Sequence, residues 1–211
     1  LGGCETGRAT RVARVGSEGL DLLDPGVRPN ALGGCPLGTS GGVVLTGDQG
    51  VMAVAGDGAV ATLPTLSSQS LRACDTRDGV LLAVGDRGAV VLLEESSATT
   101  EIGPTSRDLS AVAWGPDGTA WAAGDEALWH RSPEGVWIPV PMTFPGNLNA
   151  VIALDDDRVL AAGDDGLVLV GTADGVDPIL PYPTFLDILA AARFGDRVWL
   201  AGAEGTLLAG P

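Results

Sequence analysis

Six short apolar runs in this chain each end in a glycine followed by a tight turn, and the spacing of those glycines constrains the fold more than any other feature. The turns are Gly16-Ser17-Glu18-Gly19, Gly47-Asp48-Gln49-Gly50, Gly85-Asp86-Arg87-Gly88, Gly124-Asp125-Glu126-Ala127, Gly163-Asp164-Asp165-Gly166 and Gly202-Ala203-Glu204-Gly205. Their leading glycines lie 31, 38, 39, 39 and 39 residues apart. A fixed period of this size marks a repeat architecture, in which each unit buries its faces against its neighbours.

The fourth unit shows what one repeat contains. Leu109 to Trp114 is an apolar run closed by the turn signal Gly115-Pro116-Asp117-Gly118. Thr119 to Ala123 is a second strand, Leu128 to Arg131 a third, and Val136 to Val140 a fourth. Short runs bounded by Gly, Pro and Asp predict an antiparallel meander, not helices. Prolines recur near the end of each fourth strand, at Pro29, Pro64, Pro104, Pro141 and Pro181. Proline has no N–H to give a ladder, so this phase marks an outer strand. Phe185 to Phe194 is the run nearest to a helical pattern, but it aligns with the first strands and is read as strand.

These features predict an all-β, six-bladed β-propeller of four-stranded antiparallel blades with a period near 39 residues and an incomplete last blade. One domain spans 1–211, with blades at about 1–31, 32–70, 71–109, 110–148, 149–187 and 188–211. The sixth unit has three strands: either the blade stays three-stranded, or its missing strand lies on removed sequence or on a partner, and an unpaired edge at Thr206, Leu207, Leu208 and Ala209 would be a pairing site.

Charge narrows the partners. Aspartate and glutamate total 27 against 12 arginines with no lysine, a net charge of −15. Nucleic acid, which needs a basic surface, is excluded as a partner. No run is long and apolar enough to span a membrane. Lysine-free, Ala-, Gly- and Asp-rich usage points to a high-GC bacterial genome. The acidic turns carry the candidate partner-binding face: Glu18, Asp48, Asp86, Asp125, Asp164 and Glu204 would ring one mouth of the propeller. The competing reading is a turn requirement, in which glycine supplies positive φ and aspartate bonds its own turn. No cofactor is expected; calcium is the one cation that clustered carboxylates would suit.

Leu1-Gly2-Gly3-Cys4 is similar to a bacterial lipobox, yet Leu32-Gly33-Gly34-Cys35 repeats it one unit on, and Cys74 falls within one residue of the same phase. Small buried first-strand residues account for all three cysteines; Cys4 as a lipid anchor and a Cys4–Cys35 disulfide are the alternatives. His130, the one histidine, has no nucleophile that spacing can nominate, and is expected to be an ordinary strand residue. Asp155-Asp156-Asp157 is expected to be a solvated turn. Trp121 and Trp199 are expected between blades, and Trp114, Trp129 and Trp137 in packing or on an aromatic surface.

The units resemble the BNR-like and photosystem-II-assembly-factor (YCF48-like) propeller repeats. Leu109-Ser110-Ala111-Val112, Ala120-Trp121-Ala122-Ala123-Gly124-Asp125 and Ser132-Pro133-Glu134-Gly135-Val136-Trp137 follow that repeat in order, and Leu148-Asn149-Ala150-Val151 and Leu81 to Asp86 restate parts of it. The resemblance implies a scaffold role in assembling membrane complexes, in a lumen or periplasm. Sialidases with related boxes use a tyrosine nucleophile and an arginine cluster; here the only tyrosine is Tyr182, between units five and six. The expectation is therefore a non-catalytic scaffold subunit of a larger bacterial assembly, periplasmic or extracellular, with a protein partner such as a membrane-complex subunit. The alternative is a glycan-processing hydrolase or lyase, or a calcium-dependent sugar-binding propeller.

Overall fold

The computed structural model describes residues 12–16, 19–23, 31–37, 42–50, 52–56, 59–63, 67–94, 97–101, 103–144, 146–155 and 157–210. The strands run in chain order. Unit one gives β1 (Val12–Gly16) and β2 (Gly19–Leu23). Unit two gives β3 (Ala31–Leu37), β4 (Gly42–Gly47), β5 (Met52–Gly56) and β6 (Ala59–Leu63). Unit three gives β7 (Leu71–Arg77), β8 (Val80–Gly85), β9 (Val90–Glu94) and β10 (Ser97–Glu101). Unit four gives β11 (Leu109–Trp114), β12 (Ala120–Gly124), β13 (Ala127–Arg131) and β14 (Trp137–Pro139). Unit five gives β15 (Leu148–Ala153), β16 (Val159–Gly163), β17 (Val168–Thr172) and β18 (Gly175–Pro178). Unit six gives β19 (Ile188–Phe194), β20 (Arg197–Gly202) and β21 (Leu207–Gly210).

Units two to five each form a four-stranded sheet in sequence order, and unit six forms a three-stranded one. The all-β class holds, but the described residues form five blades of three or four strands, not six. Among the described residues unit one is only the two-stranded ribbon β1–β2. The miscount has a physical cause. A glycine turn needs two strands to close it, so counting turns counts hairpins and does not establish a blade at each. Cys4 and Glu18 lie outside the described residues.

The first strand of each blade packs against the first strands of its neighbours. The core is accordingly divided into layers between blades. Cys35, Val44 and Met52 meet Leu71, Leu81 and Val91 between units two and three. Leu82 and Val84 meet Leu109 and Val112 between units three and four. Trp121 and Leu128 meet Leu148, Val159 and Leu169 between units four and five, and Leu160 and Val168 meet Ile188 and Leu200 between units five and six. A second strand such as β12 is buried along its whole length because Trp121 and Ala123 serve one layer while Ala120 and Ala122 serve the other. That is why these strands read as unbroken apolar runs and not as alternation. Phe185 to Phe194 holds β19, a strand as its alignment predicts.

Cys35 and Cys74 are joined by a disulfide, with their Cα atoms 5.7 Å apart. This corrects the expectation that small buried first-strand residues account for both cysteines without a bond between them. Cys35 lies opposite Val44, three residues before Gly47, whereas Cys74 lies opposite Ala83, two before Gly85. A one-residue shift turns a strand side chain to the other face. Cys74 therefore faces back across the gap, toward Cys35.

Candidate functional site

The acidic turns emerge where each first strand begins. The backbone N–H of Asp86 donates to Ser70 O at 2.9 Å, that of Asp125 to Asp108 O at 3.1 Å, that of Asp164 to Asn147 O at 3.1 Å and that of Ala203 to Asp187 O at 2.8 Å. The leading glycine is required by this approach: a side chain at Gly85, Gly124, Gly163 or Gly202 would run into the same carbonyl. These glycines are not the source of positive φ. That conformation falls on Gln49, Arg87, Asp165 and Glu204, with φ of 56°, 55°, 54° and 54°, and on the glycine after each.

Opposite each leading glycine the first strand carries a bulge, which leaves Arg72, Ser110, Asn149 and Leu189 as extra residues. The bulge aims a side chain at the turn. Arg72 donates through Nε to Asp86 and through Nη2 to Asp108 of the next unit at 2.8 Å. Its pKa is raised, first by the bond to Asp86 and, against the lowering effect of burial, by the charges of Asp86, Asp108 and Asp125. Asn149 Nδ2 donates to Asp164 Oδ1 at 2.8 Å and to Ile188 O of the next unit at 3.1 Å, and Asn147 Nδ2 donates to Asp164 Oδ2 at 3.0 Å. Asp108 also accepts from Arg87 N–H at 2.9 Å, and Asp187 from Asp165 N–H at 3.0 Å. Arg107 pairs with Glu126 at 2.6 Å.

The turn end is thus a set of links between blades. Asp86 and Asp164 are half-buried and engaged, Asp48 is half-buried at the equivalent place, and Asp125 and Glu204 are exposed. Over units three and four the end mixes acids with Arg72, Arg87 and Arg107; over units five and six Asp164 and Asp187 meet amide donors instead. Sequence reasoning missed the bulge position; its signal was a polar residue directly after Leu71, Leu109 and Leu148. Among the described residues no group of three or more His, Cys, Asp or Glu side chains is placed to hold a metal ion. A cavity of about 340 Å³ beside these turns is bounded by Glu126, Phe144, Asn147, Asp165 and Tyr182.

Asp75 and Glu101 also tie blades together. Asp75 accepts from Trp114 N–H of the next first strand at 2.8 Å and from Thr76 N–H at 2.8 Å. Burial raises its pKa, opposed by those two bonds. Glu101 accepts from Arg131 Nε at 3.1 Å and Nη2, and from Trp137 Nε1 at 3.1 Å. The Arg131 guanidinium lies 5.6 Å from the Trp114 ring centre. His130 rests 4.6 Å from Trp121, centre to centre, and burial lowers its pKa against the pull of Asp117 and Asp157. Asp155 caps its own turn by accepting from Arg158, and that bond lowers its pKa. Trp114, Trp129 and Trp137 are half-buried against the layer between units three and four.

The edge strand is the other candidate. Thr206 belongs to the turn, its N–H bonded to Ala203 O at 3.0 Å and its O accepting from Gly202 N–H at 2.9 Å. Leu207, Leu208 and Ala209 lie on β21, the outermost described strand of the last blade, with Leu207 63% exposed.

No family model matches the chain, and no curated protein matches it. Solved structures do. YCF48 bound to D1 peptide superposes with a TM-score of 0.72 at 16% identity, covering 96% of this chain and 72% of its own. Virginiamycin B lyase from Staphylococcus aureus gives 0.80 at 12% identity, covering 94% and 72%. The WD40 repeats of RRP9 give 0.79 at 13%, covering 95% and 70%. At such identities the likeness establishes a β-propeller and nothing finer. No helix among the described residues is long and apolar enough to cross a membrane.

Proposed function

We propose that this chain is a non-catalytic scaffold subunit of a larger bacterial assembly, and that it binds a protein partner outside the cytoplasm. The observation that carries the reading is the likeness of the fold to YCF48 bound to D1 peptide, which superposes with a TM-score of 0.72 over 96% of this chain.

The polar residues support the same reading from the other side. Asp75 and Glu101 are spent on bonds to the next unit, Asp86, Asp108 and Asp164 on bonds at the turn end, and His130 sits against a tryptophan with a lowered pKa. The WD40 repeats of RRP9 are a further propeller among the structural neighbours. The Cys35–Cys74 disulfide favours an oxidising compartment.

Isolation from the native source under mild conditions, followed by intact-complex mass spectrometry, tests the proposal. A stoichiometric protein partner is the expected result. A lone chain that turns over a glycan, or binds sugar only with calcium, overturns it.

A further inference from the structure

One row of residues across unit four departs from its neighbours. From first strand to fourth it runs Trp114, Ala120, Arg131 and Trp137. The same row reads Thr76, Leu81, Leu93 and Ala98 in unit three, and Ala153, Val159, Gly171 and Val176 in unit five. Those blades close without a charge in the row, so the fold does not require a guanidinium there.

Arg131 is nonetheless buried, its side chain only 9% exposed. Nε and Nη2 donate side by side to Glu101, which turns Nη1 away from that carboxylate. Among the described residues Nη1 has no acceptor. Arg131 and Trp114 wall a cavity of about 350 Å³ between units three and four, at the blade end opposite the acidic turns. Arg77, from the turn between β7 and β8, stands on the facing wall with Val80 and Leu92. Arg77 Nη1 donates to Gly115 O at 2.9 Å and Nε pairs with Asp78 at 3.3 Å, which leaves Nη2 without an acceptor among the described residues. The Nε1 of Trp114 is buried and has no acceptor either. Two arginines and a tryptophan around one cavity thus each keep an N–H donor unmatched, where buried donors are ordinarily paired.

The acids around the cavity set the charge of what fits. Glu101 is spent on Arg131 and Trp137, Asp78 is 84% exposed, and Glu94 is exposed. Two arginines against Asp78 and Glu94 leave no excess positive charge for a phosphate dianion. A carboxylate carries one charge and matches the planar guanidinium fork. Val80 and Leu92 are half-buried and offer an apolar wall for the rest of the ligand. The volume is at the small end for ligand pockets.

We propose that this cavity binds a carboxylate carried on a small apolar body, with Arg77 and Arg131 donating to its oxygens and Val80 and Leu92 against the body. The site goes beyond the scaffold reading and does not depend on it. The same chemistry is offered by a free small acid and by the C-terminus of a polypeptide.

The test is an NMR titration of the labelled chain with 4-methylpentanoate, its amide, and N-acetylleucine, which is a polypeptide C-terminus in miniature. Both acids should give saturable shifts at the Trp114 indole N–H and the Arg77 and Arg131 Nε–H at millimolar concentration, and the amide should give none. Tighter binding of N-acetylleucine assigns the polypeptide source, and tighter binding of 4-methylpentanoate the free acid. Arg77→Met should weaken either acid at least about tenfold, the scale of a lost hydrogen bond to a charged group. Arg77→Lys, which keeps the charge without the fork, is the milder variant and should also bind more weakly than the unaltered chain. Arg158→Met removes the same charge from the exposed Asp155 turn and should leave binding unchanged. No saturable shift at these groups, equal shifts with the amide, or equal weakening by Arg77→Met and Arg158→Met overturns the proposal.

Discussion

Trp121 and Trp199 each stand three residues before the leading glycine of their turn, but Trp121 is 1% exposed while Trp199 is only half-buried among the described residues. The Trp121 indole is closed in by Leu148, Val159 and Leu169 of unit five, whereas Trp199 keeps one half-buried face beside exposed Leu207. Trp121→Ala should therefore destabilise by about 3–5 kcal/mol, the cost of emptying a filled core site. Trp199→Ala in the isolated chain should cost less than half of that. Urea denaturation of the two variants checks the difference.

Glu101 gathers Arg131 and Trp137, and the Arg131 side chain is only 9% exposed. Glu101→Ala strands that buried guanidinium and should cost about 3–5 kcal/mol. Glu101→Gln, which keeps an acceptor, should fall between the two. A double variant with Arg131→Met should recover part of the loss, as read by the unfolding midpoint in denaturant.

The disulfide closes a loop of 39 residues across two first strands. Reduction, or Cys74→Ser, should lower stability by about 2–4 kcal/mol. Thermal melts with and without reductant should differ for the unaltered chain and coincide for the variant.

His130 carries a pH signature. Its folded pKa lies below the ordinary 6.5 because burial against Trp121 disfavours the charged ring. The unfolded chain therefore takes up the proton first on acidification. The stability from neutral His130 is present above 6.5 and is lost as pH falls through the folded value. His130→Asn should flatten this part of the stability profile, which melts between pH 7.5 and 5 would read.

Arg72 illustrates a weaker bond. It is 42% exposed while it pairs with Asp86 and Asp108, so water screens much of the attraction. Arg72→Ala should cost only about 0.2–1 kcal/mol, and added salt should shrink the difference further.

The repeat was legible because its turns depend on local chemistry. Gly163 is fixed by the nearness of Asn147 O, and Gly166 by its φ of 73°, so both recur in the sequence at the repeat period. What failed to show were relations between units. Cys74 sits one residue out of phase with Cys35, an offset small in sequence that turns its side chain to the opposite face. Arg72 and Asn149 reach the acidic turns only through a bulge, which no alternation pattern encodes. Unit one carries the same turn signal as the rest, and that signal specifies two strands whether or not two more complete a sheet.

Intact-complex mass spectrometry on material isolated from its native source under mild conditions tests the central claim most directly. The account predicts a protein partner bound to the chain in fixed stoichiometry. A chain recovered alone that turns over a glycan would contradict it.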